Sequence, residues 1–150
     1  MSAGEPEELV SRSAAETERA GKRLGSRLTA RDVVYLEGEL GAGKTCFARG
    51  LAEGLGARSS EVASPTFAIV NEYVRPDGTV VLRHLDLYRV ADGTRDLETI
   101  GVPDALGGAP VAVEWPREAV REMLPPTVEV VIERRGDEER RIRVRRVSSQ

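Results

Sequence analysis

Apolar positions fall in two rhythms along this chain, and each predicts an element. Thr17, Ala20, Leu24 and Leu28 recur every three or four residues behind Ser13-Ala14-Ala15-Glu16. That is the stripe of an amphipathic helix from about 14 to 28, opened by a Ser-x-x-Glu capping box. Val33-Val34-Tyr35-Leu36-Glu37 is a β-branched and aromatic run that predicts a buried strand. Phe47, Leu51 and Leu55 then restore the helical spacing, up to a stop at Gly56. Two further runs, 67–74 and 79–87, flank Arg75-Pro76-Asp77-Gly78, whose turn chemistry predicts an antiparallel hairpin. A short helix near 95–100 and a Gly/Pro-rich loop to Pro110 lead to a second wholly apolar strand, Val111-Ala112-Val113-Glu114. Residues 117–124 suit a short helix that Pro125-Pro126 halts. The last stretches, 127–133 and 140–146, alternate charged and apolar residues about Gly136-Asp137, the pattern of a hairpin with one face to solvent. Residues 1–12 carry neither rhythm and are expected to be a flexible tail.

Composition narrows the class. With 150 residues, 40% of them hydrophobic and 31% charged, the chain has the balance of one folded domain, expected over 13–150. No apolar run approaches bilayer length, and the acidic first eight residues lack the pattern of a secretory signal, so a cytoplasmic location without membrane contact is expected. A net charge of -3 disfavours direct binding of DNA or RNA as the main activity. Cys46 has no second cysteine to pair with and is expected to be a small buried residue. Of the 22 basic residues only Lys22 and Lys44 are lysines. Lys44 therefore marks a place where arginine does not serve.

Lys44 lies in Gly38-Glu39-Leu40-Gly41-Ala42-Gly43-Lys44-Thr45, which fits a phosphate-binding loop at every specified position, between a predicted strand and a predicted helix. In such a loop Gly38, Leu40, Gly41, Ala42 and Gly43 turn backbone N-H groups toward phosphate oxygens, Lys44 neutralises the outer phosphates, and Thr45 offers a hydroxyl to Mg²⁺. Phosphoryl transfer also needs acids. Asp86 and Glu114 each end a predicted strand, where ligands of open α/β sheets bind if the strand directions agree. Glu114 follows the more apolar strand and is the preferred magnesium-associated acid. Ser64-Pro65-Thr66-Phe67 lies where switch segments are found, with Thr66 either a γ-phosphate or metal contact or a local side-chain turn. His84, the only histidine, is read as structural before catalytic. Trp115 and Arg117 follow Glu114 closely, and Arg117 is a candidate nucleotide contact.

Four blocks in this order, GELGAGKT at 38–45, SPTF at 64–67, HLDLYR at 84–89 and EWP at 114–116, closely resemble the TsaE (YjeE) family. The resemblance runs from about Ser13 to the C-terminal hairpin. It implies an α/β, three-layer P-loop NTPase fold with a mixed, mainly parallel sheet and a C-terminal antiparallel hairpin. It also implies a weak ATPase that binds ATP and Mg²⁺ and serves tRNA threonylcarbamoyladenosine synthesis beside partners of the TsaB-TsaD type, meeting tRNA only indirectly. By the same resemblance Lys44 is the phosphate-loop lysine, Thr45 the Mg²⁺ threonine, Thr66 the SPT-loop threonine, Asp86 the Walker-B-like acid and Glu114 the metal-associated acid. Thr17 becomes a candidate contact for the adenine. Glu39 and Cys46 stand where members more often carry Asp and Thr. Two other readings remain open: a small-molecule kinase, for which residues 101–110 offer no arginine lid, and a module that binds ATP only as an assembly signal.

Overall fold

The computed structural model describes residues 7–39, 41–57, 62–67, 70–87, 107–116 and 118–147, with only the backbone of 62–67 and 119. The predicted helix near 95–100 lies outside them. Strands β1 (Glu7–Ser11), β2 (Val33–Glu37), β3 (Val62–Phe67), β4 (Val70–Val74), β5 (Val80–Asp86), β6 (Val111–Glu114), β7 (Val128–Arg135) and β8 (Glu139–Arg146) form one sheet in the order β1-β8-β7-β2-β6-β5-β4-β3. Its helices are α1 (Ala14–Gly25), α2 (Lys44–Gly54) and α3 (Glu118–Met123).

The sheet is mixed, as expected. The parallel pairs β7-β2, β2-β6 and β6-β5 occupy its centre, and antiparallel pairs close both sides. Because side chains alternate across a strand, β2 feeds two cores. Val34 and Leu36 join Ala20, Leu24, Phe47 and Leu51 of α1 and α2, while Val33 and Tyr35 join Val111, Val113, Leu85 and Val120 of α3. Helices on both faces make the three layers.

Residues 7–11 are not tail: they pair with β8 from Glu7↔Val144 to Ser11↔Arg140. The segment is too short and polar to announce itself, and its partner lies more than a hundred residues away. Nor is 62–67 a loop; it is the edge strand antiparallel to β4, a position that tolerates Pro65 because an edge need not donate every N-H. Strand β5 is more buried than its Arg83 and His84 suggested, since β6 and β4 flank it on both sides. The turns read at 75–78 and at Gly136-Asp137 form, and the first hairpin's leading strand begins at Val70 rather than at Phe67, which belongs to β3.

Helix α1 begins at the capping box: Glu16 N-H donates to Ser13 Oγ at 3.1 Å. The Glu16 carboxylate reaches back one residue further than the standard arrangement, accepting from Arg12 N-H at 2.8 Å. The helix ends at Gly25, three residues early, where Ser26 and Arg27 N-H close a turn on Lys22 and Leu24 carbonyls.

Helices α1 and α2 touch backbone to backbone. A Cβ on Gly50 would stand 2.0 Å from Glu18 O, one on Gly54 2.2 Å from Lys22 O, and one on Gly21 2.3 Å from Phe47 O. Gly21/Gly25 and Gly50/Gly54 are four apart, so each pair lines one side of its helix and lets the axes close.

Below the sheet, Asp32 ties three segments. Its carboxylate accepts from Thr29 N-H at 2.8 Å, Thr127 Oγ1 at 2.7 Å and Arg146 Nη1 at 3.0 Å. This clamp joins the start of β2 to β7 and β8 at the edge opposite the glycine loop.

Candidate functional site

Strand register builds the site. Leu36 of β2, Glu114 of β6 and Asp86 of β5 lie side by side in parallel strands, so both acids stand at the C-terminal edge where β2 runs into the glycine loop. Gly38, Gly41 and Gly43 have φ of 154°, 83° and 113°, and Gly43 is the N-cap of α2. At Gly38 any side chain is also barred by Ile132 O, 2.4 Å from where its Cβ would be. Strand, loop and helix therefore stand as the motif requires. Leu40 lies outside the described residues; Ala42, within the loop, is fully buried.

Lys44 is 4% exposed. Its Nζ donates to Gly38 O at 2.5 Å and stands 3.5 Å from the centre of the Trp115 ring. Burial pulls the Lys44 pKa below its ordinary value, against the upward pull of Glu114 and Asp86. Trp115 has φ 58°, a left-handed backbone that a bulky residue adopts at a cost of roughly 1–2 kcal/mol. That turn lets the chain leave β6 and bring an indole face beneath the ammonium, a cation–π contact of about 0.5–2 kcal/mol.

Thr45 donates its hydroxyl to Glu114 Oε2 at 3.0 Å, and His84 Nε2 lies 2.6 Å from the same oxygen. Burial pushes the Glu114 pKa up, but the His84 hydrogen bond and charge, the Thr45 hydroxyl and Lys44 together bring it below the ordinary value. Glu114 is thus a buried carboxylate, and a carboxylate only accepts, so His84 Nε2 carries the proton between them. Tyr73 stacks near His84, with ring centroids 6.4 Å apart and planes 26° from parallel. His84 is 4% exposed, and its Nε2 bonds Glu114, which in turn bonds Thr45. Its expected structural role becomes a specific one: it holds the acid. Asp86, one strand further from the loop, is exposed.

The remaining expectations divide. Thr17 is 3% exposed; its hydroxyl bonds Ser11 Oγ at 2.6 Å, so its methyl faces the loop, 3.6 Å from where a Gly43 Cβ would be. It lines a cleft of about 290 Å³ beside the loop together with Gly43, Cys46, Arg12, Asp137 and Arg140. Cys46 is only partly buried, correcting the expectation, and its thiol donates to Ala14 O at 3.1 Å. Thr66 stands on β3 and its side chain, like all of Arg117, lies outside what is described.

Sequence reasoning missed Arg140. It sits on the helix side of β8, two residues before the buried Ile142, and its Nε donates to Ala42 O of the loop at 2.9 Å. In the sequence it was one arginine among several on an alternating hairpin, and nothing in that pattern marked it.

A glycine loop between a central parallel strand and a helix, with acids ending the next two parallel strands on one side, β6 and β5, and helices on both sheet faces, defines the class: a P-loop NTPase fold. Comparison with known proteins narrows it. The chain belongs to the TsaE family, whose model, described as threonylcarbamoyl adenosine biosynthesis protein TsaE, matches residues 11–142. It is 43% identical over 129 residues to the tRNA threonylcarbamoyladenosine biosynthesis protein TsaE of Bacillus subtilis, covering 85% of this chain and 77% of that one. To the protein of the same name from Treponema pallidum it is 40% identical over 136 residues, covering 90% and 97%. The crystal structure of Bacillus subtilis YdiB superposes with a TM-score of 0.68 at 34% identity, over 96% of this chain and 87% of that one. The family works in the biosynthesis of threonylcarbamoyladenosine in tRNA. Among the described residues no helix is long and apolar enough to cross a membrane.

Proposed function

We propose that this chain binds Mg-ATP on residues 38–45 and hydrolyses it slowly, in association with a TsaB-TsaD type complex, so that tRNA threonylcarbamoyladenosine synthesis can turn over. The observation that carries the reading is the hydrogen-bonded line Thr45, Glu114, His84 at the mouth of the glycine loop, with Lys44 beside it.

The residues fit the groups the reading requires. The positive-φ glycines and the N-terminus of α2 form a cradle for anionic oxygens. Thr45 donates its O-H to Glu114 in a hydrogen bond, which leaves its oxygen lone pairs for a hard cation, and Asp86 stands in register beside Glu114. Among the described residues no three acidic, histidine or cysteine side chains cluster as a metal cage. Two protein oxygens with phosphates completing the shell is the usual manner of holding Mg²⁺. When bound, the ion supplies neutralisation of charge on the phosphates.

This chain's own groups do the rest. Lys44 exchanges Gly38 O and the Trp115 face for phosphate oxygens, as a flexible point charge does. Glu114, anchored by His84, orients Thr45. Asp86, the exposed acid of the pair, positions the attacking water. The cleft beside Thr17 and Gly43 takes the nucleoside end, with the Thr17 methyl rather than its hydroxyl presented to it. The net charge of -3 accords with tRNA being met only through the partners.

The test is ADP release with Mg-ATP, alone and with the host's TsaB-TsaD complex, with Lys44→Ala as the blank. The slow rate is expected to rise with the partners and vanish in the variant. A rate indifferent to the partners but stimulated by a metabolite pool would overturn the reading in favour of a kinase.

A further inference from the structure

The cleft beside the glycine loop is walled on one side by the C-terminal hairpin, and one residue of that hairpin is bonded to the loop itself. Arg140 Nε donates to Ala42 O at 2.9 Å, while its Nη1 donates to Glu139 O at 3.0 Å and Asp137 O at 3.3 Å. The guanidinium is thus held by its own turn and presents Nε to the loop in a fixed direction. Bonds from a charged donor are about twice as strong as neutral ones. The acceptor matters because of what shares its peptide plane. No cis peptide occurs among the described residues, and in a trans peptide the C=O and N-H point to opposite sides. Fixing Ala42 C=O toward the hairpin therefore fixes the N-H of Gly43 away from it. Gly43, at φ 113°, belongs to the residue type with most freedom to turn that plane over.

We propose that Arg140 is a positioning residue for phosphate binding: by pinning the Ala42 carbonyl it holds the Gly43 amide in the donor direction that the loop needs, before any ligand arrives. The inference rests on the reading of 38–45 as a phosphate-binding loop. It assigns the C-terminal hairpin a part in phosphate binding, whose other groups come from the glycine loop, α2, β5 and β6. Preorganised amides spare the ligand the work of ordering the loop, so the effect falls on affinity and not on the rate of the bound state.

The experiment compares wild type with Arg140→Ala and Arg140→Gln in the full chain, measuring equilibrium binding of ATP and of inorganic tripolyphosphate with Mg²⁺. Tripolyphosphate carries the phosphates without the nucleoside. Arg140→Ala is expected to weaken both ligands by the same factor, on the order of tenfold, raising KM for ATP while kcat holds. Arg140→Gln keeps a neutral donor and is expected to recover most of the affinity. Weakened ATP with unchanged tripolyphosphate would overturn the inference, placing Arg140 on the nucleoside. Equal losses in Ala and Gln would overturn it too, since charge and not the carbonyl bond would then be at work. Should Arg140→Ala lose its fold, wild-type affinity in Arg140→Lys and Arg140→Gln alike supports the pinning bond, and loss in both refutes it. Wild type that binds neither ligand would remove the phosphate-loop reading itself.

Discussion

Gly50→Ala sets helix propensity against packing, and the two predict opposite signs. Gly50 lies inside α2, where alanine is favoured over glycine by about 1 kcal/mol. On propensity alone the variant is more stable than wild type. In the structure the added Cβ would meet Glu18 O at 2.0 Å, Glu18 C at 2.9 Å and Lys22 N at 3.0 Å, all backbone of α1. Reaching an ordinary 3.4 Å from the carbonyl requires the helices to part locally by about 1.4 Å, the difference of those two distances. No side chain can rotate out of the way, so the cost belongs near the upper end of overpacking penalties, about 3 kcal/mol. Subtracting the propensity gain leaves a net loss of about 2 kcal/mol, or a fall in Tm of roughly 4–8 °C for a chain of this size. Thermal and urea unfolding of the two proteins measure it. A Gly50→Ala variant as stable as wild type, or more so, would refute the claim that α1 and α2 meet backbone to backbone. Parting them also draws the Thr17 methyl from Gly43, so ATP affinity falls with stability. Adding Gly21→Ala, whose Cβ would meet Phe47 O at 2.3 Å, should cost less in the parted variant than alone, because one separation serves both.

Asp32 makes stability depend on acid: burial raises its pKa, but the Thr29 N-H, Thr127 and Arg146 outweigh that and hold it below the ordinary 3.8. The stabilisation is therefore full above that value and drains as pH falls through the lower folded-state pKa; Asp32→Asn should cost about 1–3 kcal/mol at pH 7, with the gap to wild type closing below pH 3.8, and a gap constant down to pH 3 would count against it. His84→Ala deprives Glu114 of its shortest bond and should lower kcat for ATP by roughly 10–100-fold, the usual effect of losing a residue that orients a ligating group, with nucleotide affinity little changed and partial recovery in His84→Gln; a wild-type rate in His84→Ala would end its positioning role.

What was legible in the sequence follows the range of the forces concerned. Helical spacing in 14–28 and 47–55, the capping box at Ser13, and the turns at Asp77-Gly78 and Gly136-Asp137 are local, and they appear where read to within a few residues. Strand β1 was hidden because its reason lies in β8: five residues with the burial of a sheet edge have no rhythm of their own. The same holds for β3, whose Ser-Pro-Thr content reads as a loop until an antiparallel neighbour supplies the pairing. The spacing of four between Gly21 and Gly25 and between Gly50 and Gly54 is visible in the sequence, but it gains meaning only because both helices carry it and face each other.

The site divides along the same line. Lys44, Thr45, Asp86 and Glu114 were readable as candidates because a phosphate loop and strand-ending acids are short patterns with their chemistry in the residue types. How they act was not, because it depends on which strand lies next to which. Parallel register sets Glu114 beside the loop, where it bonds Thr45, and Asp86 one strand beyond. Once that is fixed, the geometry favours the structural reading of His84 over the catalytic one: its Nε2 is bonded to the carboxylate, and the residue is buried. Arg140 is the extreme case, 98 residues from its acceptor, with an alternation that predicts a solvated hairpin. The alternation was correct for the other face of β8, where Arg141, Arg143 and Arg145 pair with Glu8, Glu133 and Glu129. A strand carries two patterns at once, and Arg140 stands in the row of Ile142 and Val144, where its long arm carries the guanidinium to the loop.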